Sequence, residues 1–267
     1  MNRDLRGFSL VELLVVTVLG SLLILAALQV LVTNQQTSTA QSAQIQGQQT
    51  LRATSDVLFN ELREVSAAGG DLLAMTSTAV TIRAMRKLGI VCTVSVASPP
   101  VLTAMRQGQW FQANDSVFVF ADNNTNLSSD DRWLAVQVTA VDTTRTCGTS
   151  AAQNLSFAGQ AAKFTADSVR VGAPVRSFVR YTYGLVTYSG QTYLGRTDPG
   201  GSTTPLVGPL RPSDGLAFTY LDSLGAVTGT ATKVRQIRVT IRTTSTVRNA
   251  LGQMVADSIV TRIYTRN

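Results

Sequence analysis

Arg6-Gly7-Phe8-Ser9-Leu10-Val11-Glu12-Leu13-Leu14-Val15 is the stretch on which the reading of this chain turns. From Phe8 to Val32 every residue except Ser9, Glu12, Thr17, Gly20, Ser21 and Gln29 is a large apolar residue or alanine. As a helix this run is roughly 38 Å long at about 1.5 Å per residue. A hydrocarbon core of about 30 Å is within its reach, with some tilt. It holds one carboxylate, Glu12. A charge inside such a span costs about 2.5 to 3.5 kcal/mol on insertion scales, which makes it a functional candidate. An ordinary signal-anchor with its acid near the wet interface has the same composition, so the flanks must choose.

Met1 to Gly7 is a short leader with Arg3 and Arg6 against Asp4. A secretory signal peptide carries small-residue cleavage positions after its apolar run. Here the run ends in Gln29-Val30-Leu31-Val32-Thr33-Asn34, which offers none. The small residue suited to a cut is Gly7, on the basic and therefore cytoplasmic side. Cleavage there removes the leader and keeps the helix.

Leader, glycine, phenylalanine, glutamate and apolar length together resemble the class III leader of type IV prepilins. The resemblance implies a prepilin peptidase that cuts between Gly7 and Phe8, and N-methylation of the new terminal Phe8. It also implies a docking role for Glu12, the fifth mature residue, paired with the free amine of a neighbouring subunit. Electrostatics agrees, because a carboxylate in lipid is stabilised by a nearby cation.

At 267 residues the chain exceeds what such a helix needs, and the remainder is ample for a globular core. Thr, Ser, Gly and Val dominate that remainder and favour strands and turns. The net charge of +7 is unevenly placed. Lys233, Arg235, Arg238, Arg242, Arg248, Arg262 and Arg266 face Asp257 alone, a surplus of six in the last 35 residues. Arginines alternating along a strand usually solvate its outer face, although a basic face also suits DNA, anionic lipid or an acidic partner. Two cysteines, Cys92 and Cys147, are free to form a disulfide if the body lies outside the cytoplasmic membrane. Two buried thiols are the alternative.

No charge occurs between Glu12 and Arg52, and no proline before Pro99, so a helix begun at Phe8 is never forced to stop. Leu51, Leu58, Leu62 and Val65 make an apolar stripe at helical spacing, and Gly69-Gly70 supplies a stop. The expected organisation is leader 1–7, transmembrane helix 8–32, a continuation of that helix over 33–68, and a β-rich body over 69–267. A flexible polar linker after Val32 is the competing reading. Period-two patterns predict strands over 79–84, 89–96, 116–121, 132–141, 176–188, 191–195, 216–221, 234–243 and 258–264. Ser189-Gly190 signals a two-residue hairpin. Asp198 to Gly215, rich in proline and glycine, reads as a loop, and 149–169 as irregular. The class is α+β, an antiparallel sheet packed on the second half of the helix.

Arg180-Tyr181-Thr182-Tyr183, Tyr193-Leu194-Gly195-Arg196, Gly215-Leu216-Ala217-Phe218-Thr219-Tyr220-Leu221-Asp222 and Val234-Arg235-Gln236-Ile237-Arg238 follow one another in the body. With the ending Tyr264-Thr265-Arg266-Asn267, that order resembles minor pilins of the PilW kind and the J pseudopilins of type II secretion. The resemblance implies a pilin-like fold and a minor type IV pilin that initiates or caps a pilus, in support of adhesion, twitching motility or DNA uptake. A J-type pseudopilin is the near alternative, and a membrane-anchored adhesin or DNA-binding module the distant one. Implied partners are other pilin subunits, through the N-terminal helix, and the inner-membrane assembly platform. The implied location is the cytoplasmic membrane, single-pass, with the body outside and assembly into a pilus or pseudopilus.

Histidine is absent, which excludes histidine-based triads, general bases and imidazole metal sites. Glutamate occurs only at Glu12, Glu61 and Glu64. No enzyme, cofactor or metal site is expected. Asp122, Asn124 and Asn126 have the alternate spacing of oxygen ligands in calcium loops. However, Leu127 stands where such a loop needs glycine and Trp133 where it needs glutamate, so an Asx-rich turn through Asp130 and Asp131 is preferred. The arginines of the basic C-terminal strands and the nearby Tyr264 could meet phosphates and bases, but without dense aromatic interleaving or a nucleic-acid motif nucleic acid is the less favoured partner.

Overall fold

Helix α1 runs Leu10–Leu62 without interruption in the computed structural model, which describes residues 10–249 and 251–266. The polar, uncharged stretch after Val32 is therefore helix, not linker. Its hydroxyls find their acceptors within the helix: Thr33, Thr37, Thr39 and Ser42 each donate to the carbonyl four residues back. The helix stops before the expected Gly69-Gly70. Beyond Leu62, Val65 and Ala67 turn their side chains into the core. The amide of Ser66 donates to the Asp71 carboxylate at 3.1 Å, and the amide of Arg266 donates to the Val65 carbonyl at 2.9 Å. Backbone groups that another helical turn would use are thus held by tertiary partners.

Among the described residues thirteen strands follow in chain order: β1 (Leu72–Met75), β2 (Ala79–Ser95), β3 (Val101–Gln107), β4 (Ser116–Ala121), β5 (Arg132–Gln137), β6 (Ala140–Cys147), β7 (Ser150–Ser156), β8 (Pro174–Tyr188), β9 (Gln191–Thr197), β10 (Thr203–Leu210), β11 (Leu216–Leu221), β12 (Gln236–Arg248) and β13 (Met254–Tyr264). A short helix, α2 (Ala161–Ala166), precedes β8. Ten strands make one sheet whose path is β10-β9-β8-β2-β3-β7-β6, with β1 on β2, β4 on β8 and β5 on β4. The other three, β11-β12-β13, form a second sheet, and every pairing is antiparallel.

Several segments differ from the sequence expectation. The stretches 79–84 and 89–96 are one strand, β2, carried across Arg86 and Lys87 by a register shift against β8. The segment 198–215 contains β10, whose Pro205 and Pro209 are tolerated because β10 lies at the edge of the sheet. The segment 149–169 contains β7, inserted between β3 and β6. Strand β7 hides a polar pair inside an apolar setting. Gln153, fully buried, accepts from the Phe111 amide at 2.9 Å and donates to the Phe111 carbonyl at 3.1 Å. Its amide group replaces a strand rung. The Ser189-Gly190 turn forms as read, both residues having positive φ (48° and 77°), which suits the twist of the β8–β9 hairpin.

Two cores result. One lies between α1, the first half of β2, strands β8 and β9, and the inner face of β11-β12-β13; Leu51, Leu58, Leu62 and Val65 enter it from the helix side. The second is distal, around Phe111, Phe157 and Phe164 under β3, β4, β5 and β7. Tyr220 ties the small sheet to the large one, donating toward the carbonyls of Thr76 and Ala79 at 3.1 and 3.2 Å.

Candidate functional site

The site is the first half of α1. Sixteen large apolar side chains between Leu10 and Val32 are 47–83% exposed on the isolated chain. Burying a Val or Leu side chain stabilises by about 1.5–3 kcal/mol, so this surface withholds on the order of 20 kcal/mol. Whole domains are stable by only about 5–15 kcal/mol. Such a stripe must lie in lipid or against other helices. The helix is long and apolar enough to cross a membrane, and none of its most apolar window is buried in the protein.

Its polar side chains are compatible with that environment. Thr17 donates to the Leu14 carbonyl at 2.9 Å and Ser21 to the Val18 carbonyl at 2.8 Å. Hydroxyls that bond their own helix carry no unmet demand into hydrocarbon. Glu12 lies in the first turn of α1. A carboxylate there interacts favourably with the positive end of the helix dipole. Thr33 stands about 31 Å farther along at helical rise, so Glu12 and Thr33 bracket one hydrocarbon thickness. Gly7 and Phe8 lie outside the described residues.

Cys92 on β2 and Cys147 at the end of β6 are joined in a disulfide with Cα atoms 6.1 Å apart. The Asx-rich loop between β4 and β5 closes by side-chain to backbone bonds. The Asn126 amide donates to Asn124 Oδ1 at 3.1 Å, and Asn123 Oδ1 accepts from the Ser168 amide at 2.6 Å. The chain also brings together an arrangement that the alternate spacing did not suggest. Carboxylates of Asp122, Asp130 and Asp131 lie within 4.8 Å of one another, while Asn124 and Asn126 serve the turn. Only the closure of the loop places Asp122 beside Asp130.

The basic C-terminal strands are partly neutralised. Arg242 reaches Asp214 at 3.7 Å and its carbonyl at 3.0 Å. Arg235 donates to the carbonyls of Thr232 and Val234. On the outer face of the small sheet Arg238 sits directly opposite Arg262. That opposition follows from β12–β13 register, which no local pattern reveals.

Residues 2–28 match the family described as the prokaryotic N-terminal methylation motif. No curated protein and no solved structure matches the chain. The motif ends within the apolar run, so it covers the leader, Gly7, Phe8 and Glu12 and leaves the β body to the geometry above. Such a motif implies processing by a prepilin peptidase, anchoring in a membrane and assembly with other pilins. This N-terminal motif, a long apolar helix and an antiparallel β body behind it together support a type IV pilin-like organisation.

Proposed function

We propose that the protein is a minor type IV pilin, a filament subunit with a structural and not a catalytic role, which helps initiate or cap a pilus. The observation that carries this reading is the continuous, uncovered apolar helix with one carboxylate in its first turn. A helix of that kind, extended beyond the span by uncharged residues to Thr50, is suited to packing among identical or similar helices, where each unpaired charge would be costly. Glu12 is assigned the pairing with the α-amine of an adjacent subunit, and Gly7-Phe8 the scissile bond. The large body, with thirteen strands among the described residues, supports a specialised minor subunit over a repeating major one.

The subunit is inserted once in the cytoplasmic membrane with its body outside. Mass spectrometry of the mature protein is expected to find an N-methylated Phe8 as the first residue; an intact leader in the assembled protein overturns the reading. Glu12→Ala is expected to leave the protein in the membrane while lowering pilus number and co-purifying pilins. Unchanged assembly in that variant removes the docking role. A J-type pseudopilin shares every one of these features, and deletion separates the two: loss of surface pili supports the pilin, loss of protein secretion the pseudopilin.

A further inference from the structure

The sheet β11-β12-β13 has one face against α1 and one facing outward. Ile237, Val239, Ile241 and Ile263 are fully buried on the inner side, where the Thr261 hydroxyl stands 2.7 Å from that of Ser55 on the helix. Side chains alternate along a strand. Arg238 and Thr240 on β12, and Val260, Arg262 and Tyr264 on β13, therefore share the outer face, where they are half-buried or exposed. Register sets Arg238 between Thr219 on β11 and Arg262 on β13. Cβ atoms of directly opposed residues are about 5 Å apart. Two guanidinium groups thus reach into the same small volume.

The positive charge gathered there is not neutralised from within. Of the arginines on β12 and β13, Arg242 is paired with Asp214 and Arg248 donates to the Gly252 carbonyl. Arg238 and Arg262 have neither a hydrogen bond nor an ion pair among the described residues, and the Nε of Arg238 is shielded from solvent with no acceptor. Asp257, the carboxylate of β13, belongs to the inner side, opposite Thr243. An unmet charged donor and a like-charge pair both destabilise the free protein. One carboxylate set between the two guanidinium groups relieves both through charge-assisted hydrogen bonds.

Lipid phosphates, nucleic acid and protein carboxylates all suit a basic face, and position and number choose among them. Thr261 is level with Ser55, twenty-three residues beyond the end of the apolar run at Val32. At helical rise that is about 35 Å, and a tilt of about 40° still leaves about 27 Å. Screening at physiological salt confines a headgroup field to about 8 Å, so lipid is out of range. DNA binding engages on the order of 6–10 phosphates, and single strands are held on stacking rings. This face offers two unpaired arginines and one ring, Tyr264. It does have apolar surface on both sides of the charge, Val260 being 56% and Tyr264 69% exposed. Arginine and tyrosine beside apolar surface is the composition of a protein–protein interface core. The chain's own net charge of +7 opposes pairing with a second copy.

We propose that the outer face of β11-β12-β13 docks an acidic segment of a different protein chain, whose carboxylate is held between Arg238 and Arg262 while its apolar neighbours cover Val260 and Tyr264. The exclusion of lipid rests on the membrane-anchored reading of α1; the carboxylate site itself stands on the register of the sheet.

The test uses the full chain in its own cells, with the photo-cross-linker p-benzoylphenylalanine in place of Val260. Irradiation is expected to join the protein to another chain at a segment containing Asp or Glu, as read by mass spectrometry of the joined peptides. Arg238→Glu together with Arg262→Glu is expected to lower the yield about tenfold. Replacing the acids of the joined segment by lysine is expected to restore the yield in that variant, a recovery that an unfolded sheet cannot give. No joined protein chain, a joined segment without carboxylates, or a yield indifferent to the two arginine reversals overturns the proposal. An adduct with nucleic acid, with lipid or with a second copy of this chain overturns it as well. Release of the protein from membranes at alkaline pH overturns the anchor reading instead, and is measured without the cross-linker.

Discussion

Asp71 has no exposed surface, and it meets the amide of Ser66 through one carboxylate oxygen. Burial raises its pKa above the ordinary 3.8, against the pull of the Ser66 bond and of Arg176, Arg83 and Arg266. A raised carboxyl binds its proton more tightly in the folded state. Its contribution to stability is therefore complete below 3.8 and is lost as pH rises through the raised value. Asp71→Asn keeps an acceptor for Ser66 and removes the titration. Urea unfolding of both proteins from acid to neutral pH is expected to show the variant gaining on the parent as pH rises; a constant difference would contradict the raised value. Arg238 and Arg262 present the opposite problem, two like charges directly across a strand pair. Such pairs are destabilising, so Arg262→Thr should raise stability by about 0.2–1 kcal/mol, most clearly at low salt.

At the scale of elements, α1 was the most legible part of the chain. Its apolar run, its missing prolines and the stripe Leu51, Leu58, Leu62, Val65 all point one way, and those four side chains are buried. Strands β2, β7 and β10 were less legible, each because a tertiary partner supplies what the local pattern lacks. Strand β2 carries Arg86 and Lys87 through its middle because they find carboxylates on other elements, Glu61 at 2.8 Å and Asp115 at 2.6 Å. Strand β10 accepts its prolines at an edge. Strand β7 buries Gln153, which no strand pattern would place inside. Gln153→Leu keeps the volume but leaves the Phe111 amide and carbonyl without their partner. Each unmet group costs about 1–3 kcal/mol, so a loss of about 2–4 kcal/mol is expected in chemical denaturation. A loss below about 1 kcal/mol would mean the Phe111 backbone finds water instead.

At the scale of the whole molecule, the large sheet is curled. Strands β2 and β6 are three positions apart in its order, about 14 Å in a flat sheet. Yet the Cα atoms of Cys92 and Cys147 are 6.1 Å apart, so the β6–β7 hairpin coils back over β2 and encloses the distal core. The disulfide closes a separation of 55 residues. In the chain-entropy picture that constraint is worth about 4 kcal/mol. Cys92→Ala with Cys147→Ala is expected to lower the unfolding free energy by about that amount. Loss of the distal core's hydrogen-exchange protection should precede loss around Leu58. Simultaneous loss of both would show the two cores to be one cooperative unit.

What the sequence determined by itself is everything that depends on neighbours along the chain: the leader, the anchor, the place of Glu12, the length of the helix to within a few residues, and the antiparallel class of the body. These follow from composition and periodicity, which act locally. Only the tertiary structure decided the two-sheet arrangement, the meeting of Asp122 with Asp130 and Asp131, the opposition of Arg238 to Arg262, and the contact of Ser55 with Thr261. Those depend on strand register, loop closure and sheet packing, none of which a local pattern sets. A shift of two residues would leave the hydrophobic pattern intact and move every one of them.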